Sequence, residues 1–314
     1  MELTVLDIQR MSSEDGPGLR ITAFLKGCSL ACRWCHNPES ISFNGEIQWL
    51  KERCLGCHTC ENNCPTDSLK LIDGEMLIDR NNCTSCFACT DVCPGGAMEL
   101  KGYKIEEKKL CRELLKDRAY FDKDGGITLS GGEPLLQTGA LELLKELKSE
   151  GVSTAVDTCG LISTDALTYA LQYADIVLYD IKFIDSNKHK EWTSYGNNEI
   201  LSNFKLVNLW ALKGGRLWVR TPIIPGATDT EENIAAIGSF LRNYEGVERW
   251  ELCAFNNLCK DKYTKLGIDW EFNMAELMTK EKMEQLLACA KNTNACRDIR
   301  YTGALRAEDD KNGQ

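Results

Sequence analysis

The sequence predicts an α/β protein: a partial, open (β/α)6 TIM-like barrel, with a small cysteine-rich insert between its first strand and the rest. Three observations carry this. Downstream of the insert, short β-type runs alternate with amphipathic helical stretches, the pattern of repeated β–α units on a parallel sheet. Eight cysteines fall in two runs of identical spacing before residue 94, which marks a separate unit. The chain has 314 residues, 43% of them hydrophobic, enough for a sizeable core in one or two domains. The expected division is 1–48 for the first part of the barrel, 49–101 for the insert and 102–314 for the remainder of the barrel and a C-terminal segment.

Ile21–Leu25 reads as a strand that runs straight into Cys28, Cys32 and Cys35, a C-x3-C-x2-C loop. Next come Cys54, Cys57, Cys60 and Cys64 in C-x2-C-x2-C-x3-C spacing, followed by Pro65. Cys83, Cys86, Cys89 and Cys93 repeat that spacing before Pro94, and 83 − 54 and 93 − 64 both equal 29. This is the bacterial ferredoxin spacing for 4Fe–4S clusters, in which the fourth cysteine of each run serves the other cluster. The insert is therefore expected to be bacterial-ferredoxin-like, with Cys54, Cys57, Cys60 and Cys93 on one cluster and Cys83, Cys86, Cys89 and Cys64 on the other. Zinc sites prefer paired C-x2-C units separated by a longer loop. A disulfide-stapled secreted domain is usually far shorter than this chain.

The first group has only three cysteines. A cubane held by three thiolates leaves one iron open, the mark of a metal centre that does chemistry. A degenerate zinc site, or a fourth ligand from His36 or a distant cysteine, stays open on spacing alone.

Candidate strands continue at Ile127–Leu129, Thr154–Val156, Ile176–Tyr179, Leu217–Arg220 and Arg249–Leu252. Between them, Leu136, Ala140, Leu143, Leu144 and Leu147 share a helical face. Thr228-Asp229 is placed to cap a helix that buries Ile234, Ile237, Leu241 and Tyr244. Gly151, Gly214-Gly215 and Gly246 punctuate helix ends.

In parallel α/β folds, chemistry collects at the C-terminal ends of the strands. Here those ends carry Ser130-Gly131-Gly132-Glu133-Pro134, Asp157-Thr158, Asp180-Ile181-Lys182 and Arg220. Each has a plain reading alone: a turn, a helix cap, a solvated ion pair. Four in succession point to a site. The formal charge, 37 − 47 = −10, disfavours nucleic acid or an anionic membrane as the main partner. No apolar run approaches the ~18 residues of a membrane span. Met1-Glu2-Leu3-Thr4 lacks the basic-then-apolar start of a signal peptide, so a cytoplasmic location is expected.

Together these residues resemble the radical S-adenosylmethionine superfamily, whose cluster motif is C-x3-C-x2-C with an aromatic, here Trp34, before the last cysteine. Gly131-Gly132-Glu133-Pro134 is similar to its second motif. More narrowly, the chain resembles the glycyl-radical-enzyme activating enzymes through Asp15-Gly-Pro-Gly-Leu-Arg20, Cys35-His36-Asn37-Pro38-Glu39, Asp180-Ile181-Lys182 and Arg220-Thr-Pro-Ile-Ile-Pro-Gly-Ala-Thr-Asp229. The two-cluster insert is similar to one subgroup.

The resemblance implies three 4Fe–4S clusters and S-adenosylmethionine chelated at the open iron of the Cys28, Cys32 and Cys35 cluster. Reductive cleavage would give a 5′-deoxyadenosyl radical, which takes a hydrogen atom from a glycine of a partner glycyl-radical enzyme. Gly131, Gly132 and Glu133 would meet the methionine amino group, Arg220 and Lys182 would orient the cosubstrate, and Asp157 and Asp180 would share a monovalent cation with its carboxylate. Trp34, Cys35 and His36 would line the adenine, with Ile181 and Asn256 nearby, and Asp15 would meet the incoming glycine loop. A flavodoxin or ferredoxin would supply electrons.

Two departures stand out: Cys253-Ala-Phe-Asn256-Asn257 has asparagine where most relatives carry histidine, and Thr193-Ser-Tyr-Gly196 replaces the usual Thr-Gly pair. Cys253, Cys259, Cys289 and Cys296 read as buried small hydrophobes. Two other functions compete with the activase. A radical peptide maturase usually places its extra cysteines after the barrel. A non-catalytic iron–sulfur electron carrier would need neither the three-cysteine loop nor the strand-end set.

Overall fold

The computed structural model describes residues 1–306. Its main sheet has nine strands. In chain order these are β1 (Glu2–Ser12), β2 (Arg20–Leu25), then, after four short strands that pair outside this sheet, β7 (Tyr103–Glu106), β8 (Gly126–Gly131), β9 (Ser153–Thr158), β10 (Ile176–Asp180), β11 (Arg216–Ile223), β12 (Val247–Ala254) and β13 (Asp298–Thr302). The short strands belong to the insert: β3 (Glu46–Trp49), β4 (Leu69–Ile72), β5 (Glu75–Ile78) and β6 (Met98–Lys101). In space the large sheet runs β13-β12-β11-β10-β9-β8-β2-β1-β7. From β2 to β13 every neighbouring pair is parallel, while β1 lies antiparallel to β2 and β7. Among the described residues the edge strands β7 and β13 do not pair, so the sheet is open.

All six expected strands are present, each longer than its apolar run. The sequence reading missed three strands of this sheet, β1, β7 and β13. In β1 only Leu3 and Val5 among the apolar residues are buried, while Leu6, Ile8 and Met11 are half-buried or exposed and break the alternation. In β13, Asp-Ile-Arg-Tyr-Thr turns only Ile299 into the core, so no apolar run marks it.

Side chains alternate across the sheet with a period of two. On β10, Val177 and Tyr179 belong to the large core, while Ile176 and Leu178 belong to a small cluster with Ala155 and Trp218. The helices that contribute to the large core follow the strands. They include α1 (Thr138–Ser149), with Ala140, Leu143, Leu144 and Leu147 buried as expected, α2 (Ser186–Thr193), α3 (Asn198–Ala211), α4 (Glu231–Leu241), α5 (Lys260–Leu266) and α6 (Lys280–Asn292). Truncating a fully buried leucine such as Leu144 to alanine would cost about 2–5 kcal/mol.

One expectation about capping is corrected. The hydroxyl at the start of α4 is that of Thr230, which accepts from Asn233 N at 3.2 Å. Thr228 is two residues too early. Its buried hydroxyl accepts from Ile224 N at 2.8 Å and donates to Pro222 O, while Asp229 takes Gly226 N at 3.0 Å. Those groups close the turn after β11. Tyr244 lies beyond the end of α4 and is half-buried.

Arg20, fully buried at the start of β2, ties strand beginnings together. Its Nε donates to Thr128 Oγ1 at 2.7 Å, and its two terminal nitrogens to the carbonyls of Pro17, Asp124, Ile127 and Ser153 at 2.9–3.3 Å. All five guanidinium donors are used, as a buried cation requires.

The insert has its own core, built on Ile47, Trp49, Leu69, Met76, Ala97 and Met98 with Cys60 and Cys89. β3 pairs antiparallel with β6, so the insert is closed at its base from Glu46 to Lys101, and β4 and β5 form a hairpin. The repeat is visible in the backbone. Four-residue helical turns at Thr59–Asn62 and Ala88–Asp91 each follow a left-handed residue, His58 at φ 56° and Phe87 at φ 61°.

Candidate active site

A cavity of about 690 Å³ opens at the C-terminal ends of the parallel strands, where the fold predicts a site. Its wall takes Cys28, Cys32 and Cys35 from the loop after β2, Gly131 and Gly132 at the end of β8, Asp157 on β9, and Asp180 and Lys182 around the end of β10. Arg220 on β11, Asn256 after β12 and Thr302 on β13 complete it, with Trp34, His36 and Asp15. Two expected residues are not on this wall. Ile181 is buried behind it, in the core. Glu133 is fully buried and spends its carboxylate on the chain, accepting from Thr158 Oγ1 at 2.7 Å, Cys159 N at 2.8 Å and Leu135 N at 3.3 Å. Burial pushes its carboxyl well above the usual range.

The cysteine loop has no regular structure, yet its backbone is accounted for. Cys28 N donates to Ile41 O at 3.0 Å, and Ala31 N and Arg33 N donate to Thr193 O and Trp192 O, the last carbonyls of α2, at 3.0 and 3.1 Å. Helix-end carbonyls are unpaired within their helix and free to accept such bonds. Gly131 and Gly132 are needed because the chain turns tightly against this loop. A Cβ on Gly131, at φ +110°, would sit 2.4 Å from Leu25 N, and one on Gly132 2.3 Å from Gly27 O. Their closest approach is to the neighbouring backbone.

Opposite charges face one another across the cavity. Lys182 Nζ lies 2.6 Å from Asp180 Oδ2. Burial disfavours charge on Lys182, but the attraction of Asp180 wins and holds it protonated, above the usual lysine range. Burial pushes the Asp157 carboxyl up to about 6, although Arg220 pulls it the other way. Asp157 Oδ2 accepts from Ser130 Oγ at 2.8 Å and lies 3.6 Å from Arg220 Nη1. Arg220 also reaches Glu251 at 3.4 Å and donates to Glu14 O, which ties the loop carrying Asp15 to the site. The Asp15 carboxylate accepts from Ser12 Oγ at 2.6 Å and Thr22 Oγ1 at 2.7 Å.

No three His, Cys, Asp or Glu side chains among the described residues converge as a single metal ion would need. A cubane is held from its corners, so its thiolates line a hollow instead. Eight cysteines of the insert line two hollows. One is lined by Cys54, Cys57, Cys60 and Cys93, the other by Cys64, Cys83, Cys86 and Cys89. These are the two crossed sets read from the spacing. Amide-to-sulfur bonds repeat as well: Ser68 N to Cys64 Sγ at 3.3 Å, Ala97 N to Cys93 Sγ at 3.2 Å.

Comparison with known proteins places this geometry. A family described as "4Fe-4S single cluster domain" matches residues 14–82 and again 79–201. The trans-4-hydroxy-L-proline dehydratase activating enzyme of Clostridioides difficile is 37% identical over 91% of this chain and 95% of its own length. The isethionate sulfite-lyase activating enzyme of Desulfovibrio desulfuricans is 39% identical over 84% and 86%, and the 4-hydroxyphenylacetate decarboxylase activating enzyme of Clostridium scatologenes 35% over 90% and 92%. The chain belongs to the glycyl-radical-enzyme activating enzymes. A looser likeness among solved structures is a domain of pyruvate-formate lyase-activating enzyme from Bacteroides vulgatus, at a TM-score of 0.46 and 23% identity over 57% of this chain and 99% of that one.

Several residues of this activating enzyme's cavity escaped the sequence reading. Cys159 lies on its wall, as does Cys253, which is half-buried rather than a core hydrophobe. Cys259 is buried as expected, while Cys289 and Cys296 are half-buried. Glu251 is buried between Arg220 and Arg249, and Arg249 in turn meets Asp298 at 2.7 Å. A signal was present: Arg249, Glu251 and Cys253 alternate with Trp250 and Leu252, the period of a strand with one polar face.

Proposed function

We propose that this activase works in the strand-end cavity, with S-adenosylmethionine and a cluster held by Cys28, Cys32 and Cys35. The observation that carries this is that the three-thiol loop faces Asp157, Asp180, Lys182 and Arg220 across one cavity. The residues suit the groups. Three thiols with no disulfide share the wall, and His36 Nε2 is buried there without a partner. When bound, the cluster and S-adenosylmethionine supply a 5′-deoxyadenosyl radical that takes a hydrogen atom from a glycine of the partner enzyme.

The chain's own part is positioning. Arg220 and Lys182 offer cationic donors to a carboxylate, and two acidic groups beside that carboxylate leave room for a monovalent cation. Gly131 and Gly132 keep the wall thin next to the loop. Asp15 and the loop that Arg220 pins are offered to the partner's glycine segment. In this reading the open sheet is a partial (β/α)6 TIM-like barrel, and 49–101, begun at Glu46 by strand pairing, is a bacterial-ferredoxin-type insert holding two clusters. A flavodoxin or ferredoxin would reduce it, in the cytoplasm of an anaerobe, because such clusters are oxygen-labile. No described helix is long and apolar enough to cross a membrane.

The test is anaerobic: reconstitute, reduce with dithionite, add S-adenosylmethionine, and quantify 5′-deoxyadenosine beside iron and sulfide. The expected result is nucleoside formation with about twelve irons per chain, three cubanes. No nucleoside from fully loaded protein would overturn the reading in favour of an electron carrier.

A further inference from the structure

Helix α5 touches both the insert and the cysteine loop. At its C-terminus Gly267 adopts φ +65°, and Ile268 N and Gly267 N satisfy Tyr263 O and Thr264 O, each at 3.0 Å. The carbonyl of Leu266 is taken by Arg80 of the insert, whose Nε donates at 2.8 Å and whose Nη2 donates to the same oxygen and to Ile47 O at 3.0 Å. Arg80 stands in the turn that delivers Cys83, closed by Cys83 N to Asp79 O at 3.0 Å. From the other side of α5, Tyr263 Oη donates to Cys35 O at 2.9 Å, and Lys262 Nζ donates to Asn37 Oδ1 at 2.6 Å.

We propose that α5 is a tie between the insert and the cysteine loop, with Arg80 and Tyr263 as positioning residues for the cluster that Cys35 would hold. A cationic group on an unpaired helix-end carbonyl is a favourable contact. Because Arg80 sits on the Cys83 turn, the state of the second hollow is felt, through one short helix, at Cys35. This assigns the insert a mechanical role that is independent of electron transfer. It rests on the reading of Cys28, Cys32 and Cys35 as the cluster loop, which the nucleoside assay on wild-type protein tests separately.

The experiment is anaerobic amide hydrogen exchange on the reconstituted full chain, alongside the change that S-adenosylmethionine causes in the electron paramagnetic resonance signal of the reduced protein. Arg80→Gln is expected to raise exchange in residues 28–41 roughly tenfold and to alter that signal, while the 69–78 hairpin stays protected. Tyr263→Phe should do the same, and the double variant should do no more than either alone, because the two act through one path. Lys51→Ala, which breaks an exposed pair within the insert, should leave the loop unchanged. If Arg80→Gln loses iron, Arg80→Lys serves instead, with a smaller rise at the same residues. Unchanged exchange in 28–41 in the Arg80 variant, or additive effects in the double variant, would overturn the tie.

Discussion

Glu133 shows how a motif residue acts without facing the cavity. Its carboxylate gathers Thr158 Oγ1, Cys159 N and Leu135 N in a site closed to water. Glu133→Ala leaves three donors without a partner and should cost about 3 kcal/mol, whereas Glu133→Gln keeps an acceptor and should cost about 1 kcal/mol. Denaturant midpoints followed by circular dichroism distinguish the two. Asp157 is pushed in the same direction, since burial lifts its carboxyl to about 6, but it faces the cavity beside Arg220. A carboxyl whose folded value is raised contributes stability below its ordinary value near 4 and loses that contribution as pH climbs to about 6. Asp157→Asn should therefore raise the melting temperature at pH 7.5, with the gain shrinking at pH 5.5, and weaken S-adenosylmethionine binding about tenfold. A melting temperature unchanged at pH 7.5 would contradict this. The three cysteine groups were legible because their spacing is local in the chain. Cys159 was not, because its neighbours Ser29 and Glu133 come from elements far away in sequence.

Two neighbouring threonines separate helix initiation from turn closure. Thr230→Ala removes the hydroxyl that caps α4 and should cost about 1 kcal/mol. Thr228→Val leaves Ile224 N and Pro222 O unpaired in a buried turn and should cost more, about 2–3 kcal/mol. Equal losses in thermal melts would contradict the assignment. The sequence reading placed the cap at Thr228-Asp229, and backbone geometry moves it to Thr230. Strands with apolar runs were legible from Ile21 to Leu252. β13 was hidden because Asp298 and Arg300 stand on a polar face and pair with each other and with Arg249.

Across the whole molecule, the insert and the sheet have separate cores, and the contacts that join them include Arg80 on α5 and Lys26 Nζ to Glu46 at 3.0 Å. Cys57→Ala combined with Cys86→Ala should bring iron down toward about four per chain. Nucleoside formation with dithionite should persist while turnover with a flavodoxin or ferredoxin donor falls; unchanged turnover with that donor would sink an electron relay through the insert. The base of the cysteine-rich segment at Glu46 was not legible in the sequence, because β3 finds its partner β6 some fifty residues later.

Each hollow of the insert borrows its fourth cysteine from the opposite run: Cys93 completes the first and Cys64 the second. Neither half is therefore a self-sufficient module. A chain keeping only one run would present three thiols to a gap, and damage at Cys64 would be felt across the repeat, in the cradle its own run does not build. The insert is interlocked: neither run completes a hollow without the other.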